Sequence, residues 1–224
     1  MSAISAGDGN EGEEVAVDLR SMTLVDAVLP GRSGWVKNIL LVGAFASLMP
    51  LLAGIAIPLP FTPVPITGQT LGVLLAGALL GPRRGALAML VYMAEGLAGL
   101  PVFAGGANAW SPSLFGVPVI IGPSAGYLFS FPVAAFVVGF LAQRGWDRHF
   151  WRAVAMMLIG QAVIYLVGLP WLGAYVGMDQ ALPLGLVPFF PGDVLKVLLA
   201  SALLPSAWRL LGVQRDRQTG APAF

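Results

Sequence analysis

The chain is 224 residues long, and 57% of it is hydrophobic while only 10% is charged, against about 25% charged in an ordinary soluble domain. The net charge of +1 excludes a basic nucleic-acid binder, and the absence of cysteine excludes disulfides, thiolate zinc sites and iron–sulfur clusters. A soluble core of this length cannot use so much apolar surface, but a lipid bilayer can, because each spanning helix takes roughly 20 mostly apolar residues.

The first segment, residues 1–36, differs from the rest. It holds Asp8, Glu11, Glu13, Glu14, Asp18 and Asp26 with several glycines, and it is expected to be a disordered acidic tail. A short amphipathic stretch around Val15 to Leu29 could lie on a membrane surface. No basic region precedes an apolar run here, so it does not read as a signal peptide.

Six apolar runs follow, at about 37–56, 67–81, 85–100, 124–143, 153–173 and 191–211. Residues 37–212 therefore read as an all-α membrane domain, a compact bundle of six transmembrane helices, and 213–224 as a short cytoplasmic tail. The basic residues test this division. Eleven of the 12 Lys and Arg residues fall before the first run, between the second and third, between the fourth and fifth, or at the end of the sixth. The connections at 57–66, 101–123 and 174–190 contain none. Positive charge marks the cytoplasmic side, so both termini are expected there. Basic flanks on any apolar helix would have put positives on both sides.

The uncharged connections have their own character. Residues 57–66 carry four prolines in alternation, Pro58, Pro60, Pro63 and Pro65, which forbids regular helix and favours a stiff extended path. Residues 101–123 are rich in glycine and proline yet strongly apolar. Such backbone is tolerated near membrane depth only where protein buries it or it lines a cavity. Ordered loops folded over the outward mouth of the bundle fit this best; loops dipping toward the headgroups are the alternative.

Ionisable groups inside spans are costly, so each is a candidate site. Asp193 and Lys196 open the sixth run behind Pro191, three residues apart and hence on one helix face. Lys196 can meet a substrate carboxylate, and Asp193 can accept N–H groups from a urea-like ring. A self-neutralising pair that only makes the helix insertable is the plainer alternative. Gln69, Asn108, Phe103 and Tyr127 complete a candidate pocket of apolar walls with a few polar groups. Glu95 could sit near the interface, pair with Lys196, or carry a proton. The single histidine, His149, has no second histidine to share a metal, and no metal or cofactor is expected. No phosphate-binding loop or hydrolase motif occurs, so any ATPase must be another protein. Gly43 and Ser47 form a small-x-x-x-small face suited to close helix contact, within the chain or with a partner.

The run Pro-Phe-Thr-Pro-Val-Pro-Ile-Thr-Gly-Gln-Thr-Leu-Gly over 60–72 resembles the BioY family, the biotin-specific S components of energy-coupling factor (ECF) transporters. Gly-Leu-Pro-Val-Phe-Ala-Gly-Gly at 99–106, Gly-Pro-Ser-Ala-Gly-Tyr at 122–127 and Pro-Gly-Asp-Val-Leu-Lys at 191–196 are similar to the same family, in the same order. The resemblance covers about 38–212. It implies a multi-pass subunit of the inner (plasma) membrane that is not an enzyme. Such a subunit captures biotin at the outer face and works with a transmembrane T component and two ABC-type ATPases. It also implies that Asp193 and Lys196 are the polar pair of the last helix, that Asn108 stands for the asparagine after the Gly-Gly turn, and that the Gly43–Ser47 face meets the T component. A stand-alone or proton-coupled carrier for a small carboxylate-bearing solute is the alternative.

Overall fold

A computed structural model describes residues 22–29 and 34–219, with side chains through 212. A helix occupies each of the six apolar runs: α2 (Trp35–Gly54), α3 (Gln69–Leu80), α4 (Pro82–Leu97), α5 (Ala125–Ala142), α6 (Phe150–Val176) and α8 (Phe190–Thr219). Before them lies the short α1 (Leu24–Val28), and between α6 and α8 lies α7 (Met178–Gly185). Strands β1 (Ala56–Ile57) and β2 (Ile66–Thr67) pair antiparallel and close the proline-rich 57–66 segment into a loop.

Helices α2, α5, α6 and α8 are long and apolar enough to cross a membrane. The chain is accordingly a mostly helical, multi-pass membrane protein. Helix α3 has 12 residues and α4 has 16, so they reach about 18 and 24 Å at 1.5 Å per residue. They meet at a sharp turn. Gly81 adopts φ 83°, and Pro82 follows as the first residue of α4, where proline loses no helical hydrogen bond.

Helix α5 lies at the centre and packs on α3, α4 and α6. Small residues let it do so. A methyl group at Gly77 of α3 would overlap the Ala135 carbonyl, and one at Gly139 would overlap the Gly81–Pro82 backbone. With no hydrophobic drive between helices in lipid, such close backbone approach supplies the van der Waals contact that holds them. Helix α2 is the least covered, with Leu40, Leu48 and Leu51 exposed. Its Ala46 and Met49 face the bundle.

Within the segment read as an acidic tail, α1 is ordered against the bundle. Thr23 caps it by accepting from the Asp26 N–H, and the Asp26 carboxylate pairs with Arg84 and, at 3.4 Å, with Lys37 of α2. Residues 1–21, including most of the tail's acids, lie outside the described residues. At the other terminus α8 continues to Thr219, beyond the expected start of the tail at 213.

Two further contacts organise the bundle ends. Between α5 and α6, Trp208 of α8 donates to the buried Asp147 at 2.6 Å. On the opposite end, Thr62 of the 57–66 loop donates to the Leu184 carbonyl of α7 at 2.8 Å. Residues 174–190 are thus not a plain loop: α7 is a helical turn stapled to the proline-rich segment.

Candidate ligand-binding cavity

Asp193 and Lys196 sit in the first two turns of α8, where the one-turn spacing puts them side by side. Lys196 Nζ lies 3.0 Å from Asp193 Oδ1. Asp193 is 6% exposed, and a carboxylate so buried must be paired and hydrogen-bonded. It is. Its Oδ2 accepts from Gln161 at 2.8 Å and from the Tyr165 hydroxyl. Gln161 and Tyr165 are one turn apart on α6, so one helix face supplies both donors.

Lys196 has three donors, and all are engaged. It reaches the Thr67 carbonyl at 2.8 Å, the Thr70 hydroxyl at 2.9 Å and Asp193. Thr70 in turn stands 3.5 Å from Asp193 Oδ1 as a donor. A single hydroxyl therefore bridges the pair, accepting from the ammonium and donating to the carboxylate. Lys196 is paired with Asp193, as their placement on one helix face allows. It is half of a neutral, self-satisfied unit.

This unit forms the buried end of a cavity of about 230 Å³. Gln69, Phe103 and Tyr127 line the same cavity. Gln69 donates to the Tyr92 hydroxyl at 2.6 Å and accepts from Thr67 at 3.0 Å. The Tyr92 hydroxyl in turn donates to the Val102 carbonyl at 3.0 Å, tying the start of α3 to the 101–123 loop. Phe103 packs edge-on against Tyr92 with centroids 5.4 Å apart, in space left by Gly96. Tyr127 donates to the Gly185 carbonyl at 3.0 Å, lies against Gly168 and lines the cavity.

Five of the six expected site residues thus come together. Asn108 does not join them. Its amide donates to the Gly99 carbonyl, and its oxygen accepts from the Trp110 and Ser111 N–H groups. It shapes the loop from within and is not among the cavity's lining residues. Glu95 makes no ion pair among the described residues and does not line the cavity. Gln161 and Tyr165 are the cavity residues that the sequence reading misses, whereas Thr70 stands beside Gln69 at the start of the second apolar run. The legible signal was a polar i, i+4 pair, Gln161 and Tyr165, inside an otherwise apolar span.

Loops cover the other end. Residues 112–118 form a small hairpin, with Pro112 bridged to Pro118, and Leu114 at its tip borders the cavity. From the 57–66 segment, Pro63, Val64 and Pro65 add apolar wall. No group of three or more His, Cys, Asp or Glu residues that could hold a metal occurs among the described residues.

The chain matches the model of the BioY family over residues 20–213. It is 38% identical to the probable biotin transporter BioY of Pyrococcus horikoshii, over 73% of this chain and 91% of that protein. It is 36% identical to the biotin transporter BioY of Thermotoga maritima, over 80% of this chain and all of that one. A solved structure, the S-component for biotin from an ECF-type ABC transporter, superposes with a TM-score of 0.64 at 29% identity, covering 78% of this chain and 92% of its own.

Proposed function

The chain belongs to the BioY family, and from that membership we propose that it is the biotin-binding membrane subunit of a vitamin-uptake transporter. It binds and hands over a solute and is not an enzyme. The observation that carries the reading is the Lys196–Thr70–Asp193 bridge at the buried end of the cavity.

The edge of a cyclic urea presents a carbonyl acceptor beside an N–H donor. The Thr70 hydroxyl presents the same pair: it accepts from Lys196 and donates to Asp193. Biotin entering ring-first replaces Thr70 at both partners, and its long 3.5 Å contact to Asp193 is the weaker one to displace. A ligand carboxylate fits less well there, because it brings an unbalanced charge to a pair that is already neutral and buried. The ammonium and carboxylate therefore read the ureido ring together, which differs from the expectation that Lys196 takes the acid. Phe103 and Tyr127 supply apolar wall, and Gln69 holds the start of α3 in register with the loop.

The remaining assignments follow from charge placement and the family. Six helices span the plasma membrane, α3 and α4 being short ones, with both termini cytoplasmic and the cavity opening outward. A T component and two ABC-type ATPases power transport. The T component meets α2, where Ala44 and Ser47 are exposed and a methyl at Gly43 would touch nothing.

The test is titration of the detergent-purified protein with biotin, with thiamine as an unrelated vitamin. Sub-micromolar, biotin-selective binding supports the reading. Desthiobiotin, which keeps the ureido ring, should compete. Equal affinity for the two vitamins would sink it.

A further inference from the structure

We propose that the same cavity accepts biotin derivatives capped or extended at the carboxyl, such as the primary amide and biotinyl-lysine. This rests on the ring-first reading above. Among the described residues Asp193 and Lys196 are the only charged ones that line the cavity, and their side chains are only 8% and 17% exposed. The cavity reaches the surface at the 112–118 hairpin, where its lining residue Leu114 is 78% exposed. A ligand held by its ring at Asp193 directs its acyl chain toward that opening.

Nothing cationic waits there. Pro63, Ala104, Pro112 and Val119 give neutral wall. The three segments at this end of the bundle, 57–66, 101–123 and 174–190, contain no lysine or arginine. Apart from Asp193 and Lys196, the carboxylate side chains at this end among the described residues are Glu95 near the end of α4 and the exposed Asp179 of α7, with no further lysine or arginine beside them. A terminal carboxylate therefore has no charge partner to lose, and its place is taken by water. Replacing it with a neutral amide removes no ion pair. Extending it by a lysine carries the added atoms through the opening into solvent, and their opposite charges cancel.

The experiment measures binding of biotin, biotin amide, biotinyl-lysine and pentanoate to the full-length purified protein. Pentanoate carries the chain and acid without the ring. The amide and biotinyl-lysine are expected to bind within about tenfold of biotin, and pentanoate not to compete. Lys196→Met is expected to weaken biotin and its amide by the same factor. If biotin itself does not bind, the proposed function falls. If biotin binds while both derivatives are weakened more than about 100-fold, or if Lys196→Met weakens only the free acid, the carboxylate is read by charge and this inference alone is overturned.

Discussion

Lys196 and Asp193 are joined by a 3.0 Å salt bridge within one turn of α8, and every donor of the lysine is occupied before any ligand arrives. Breaking such a pair leaves an uncompensated charge, at about 3–5 kcal/mol, whereas replacing both members by apolar residues is often neutral. Asp193→Leu and Lys196→Met should each lower the melting temperature of the detergent-solubilised protein. The double variant should recover most of that loss while binding no biotin. A double variant as unstable as the sum of the singles would show that the two do not act as a unit.

Tyr165 donates to Asp193 Oδ2 from outside the salt bridge. Tyr165→Phe keeps the ring and removes the donor. A hydrogen bond to a charged group contributes about 1.5–3 kcal/mol, so biotin should bind roughly 10- to 100-fold more weakly, with helical content unchanged. Isothermal titration on the variant reads this directly.

Gly77 allows α3 to lie on α5 at the Ala135 carbonyl. Gly77→Ala places a methyl against backbone that cannot rotate away, and overpacking of this kind costs about 1–3 kcal/mol. The expected outcome is a lower melting temperature. At Gly43 an added methyl meets nothing, so Gly43→Ala should leave the melting temperature unchanged. A comparison of the two variants separates packing inside the bundle from contact with a partner.

Burial alone would raise the Asp26 carboxyl, but hydrogen bonds from Arg84 and Thr23, the Arg84 charge and Lys37 together hold it at about 2, below the ordinary 3.8. A depressed carboxylate stabilises the folded state above the unfolded value and loses that contribution as pH falls through the folded one. The attachment of α1 should therefore be intact above about pH 4 and lost progressively toward pH 2. Allowing for partial exposure, roughly 1–2 kcal/mol is at stake. Hydrogen exchange of residues 23–29 should rise on acidification. In Asp26→Asn it should already be high at neutral pH.

Trp208 donates to Asp147, a carboxylate between α5 and α6 that is 1% exposed and whose pKa burial pushes up. Trp208→Phe withdraws that donor and should destabilise by about 1–3 kcal/mol. A raised pKa means the folded state holds its proton longer than the unfolded one. The indole N–H stabilises the ionised carboxylate, so its loss should cost more at neutral than at acidic pH, and paired melting curves at the two pH values check this.

Much of this is legible in the sequence. Charge in an apolar chain is costly wherever it sits, so Asp193 and Lys196 stood out by composition alone. Their spacing put them on one face, and apart from α8, which runs on to Thr219, the helices begin and end within a few residues of the apolar runs because lipid allows no other backbone there. The positions of α3 and α4 and their shortness were readable too, the second run at 67–81 becoming a 12-residue α3. Asn108 shows the limit of such reading. An amide beside two glycines looks like a ligand donor, yet its hydrogen bonds close the loop on itself. Short-range turn chemistry took the group before the cavity could.

What the chain order determined, then, was which segments are apolar, which end carries positive charge, and which few polar groups must find partners. What tertiary structure alone decided was who those partners are. Thr70, Gln161 and Tyr165 reach Asp193 or Lys196 from 28 to 126 residues away. No local pattern encodes such a meeting, because it depends on how α3, α6 and α8 pack. That packing made a lysine that could have met a substrate acid into half of a neutral, hydrogen-bonded pair.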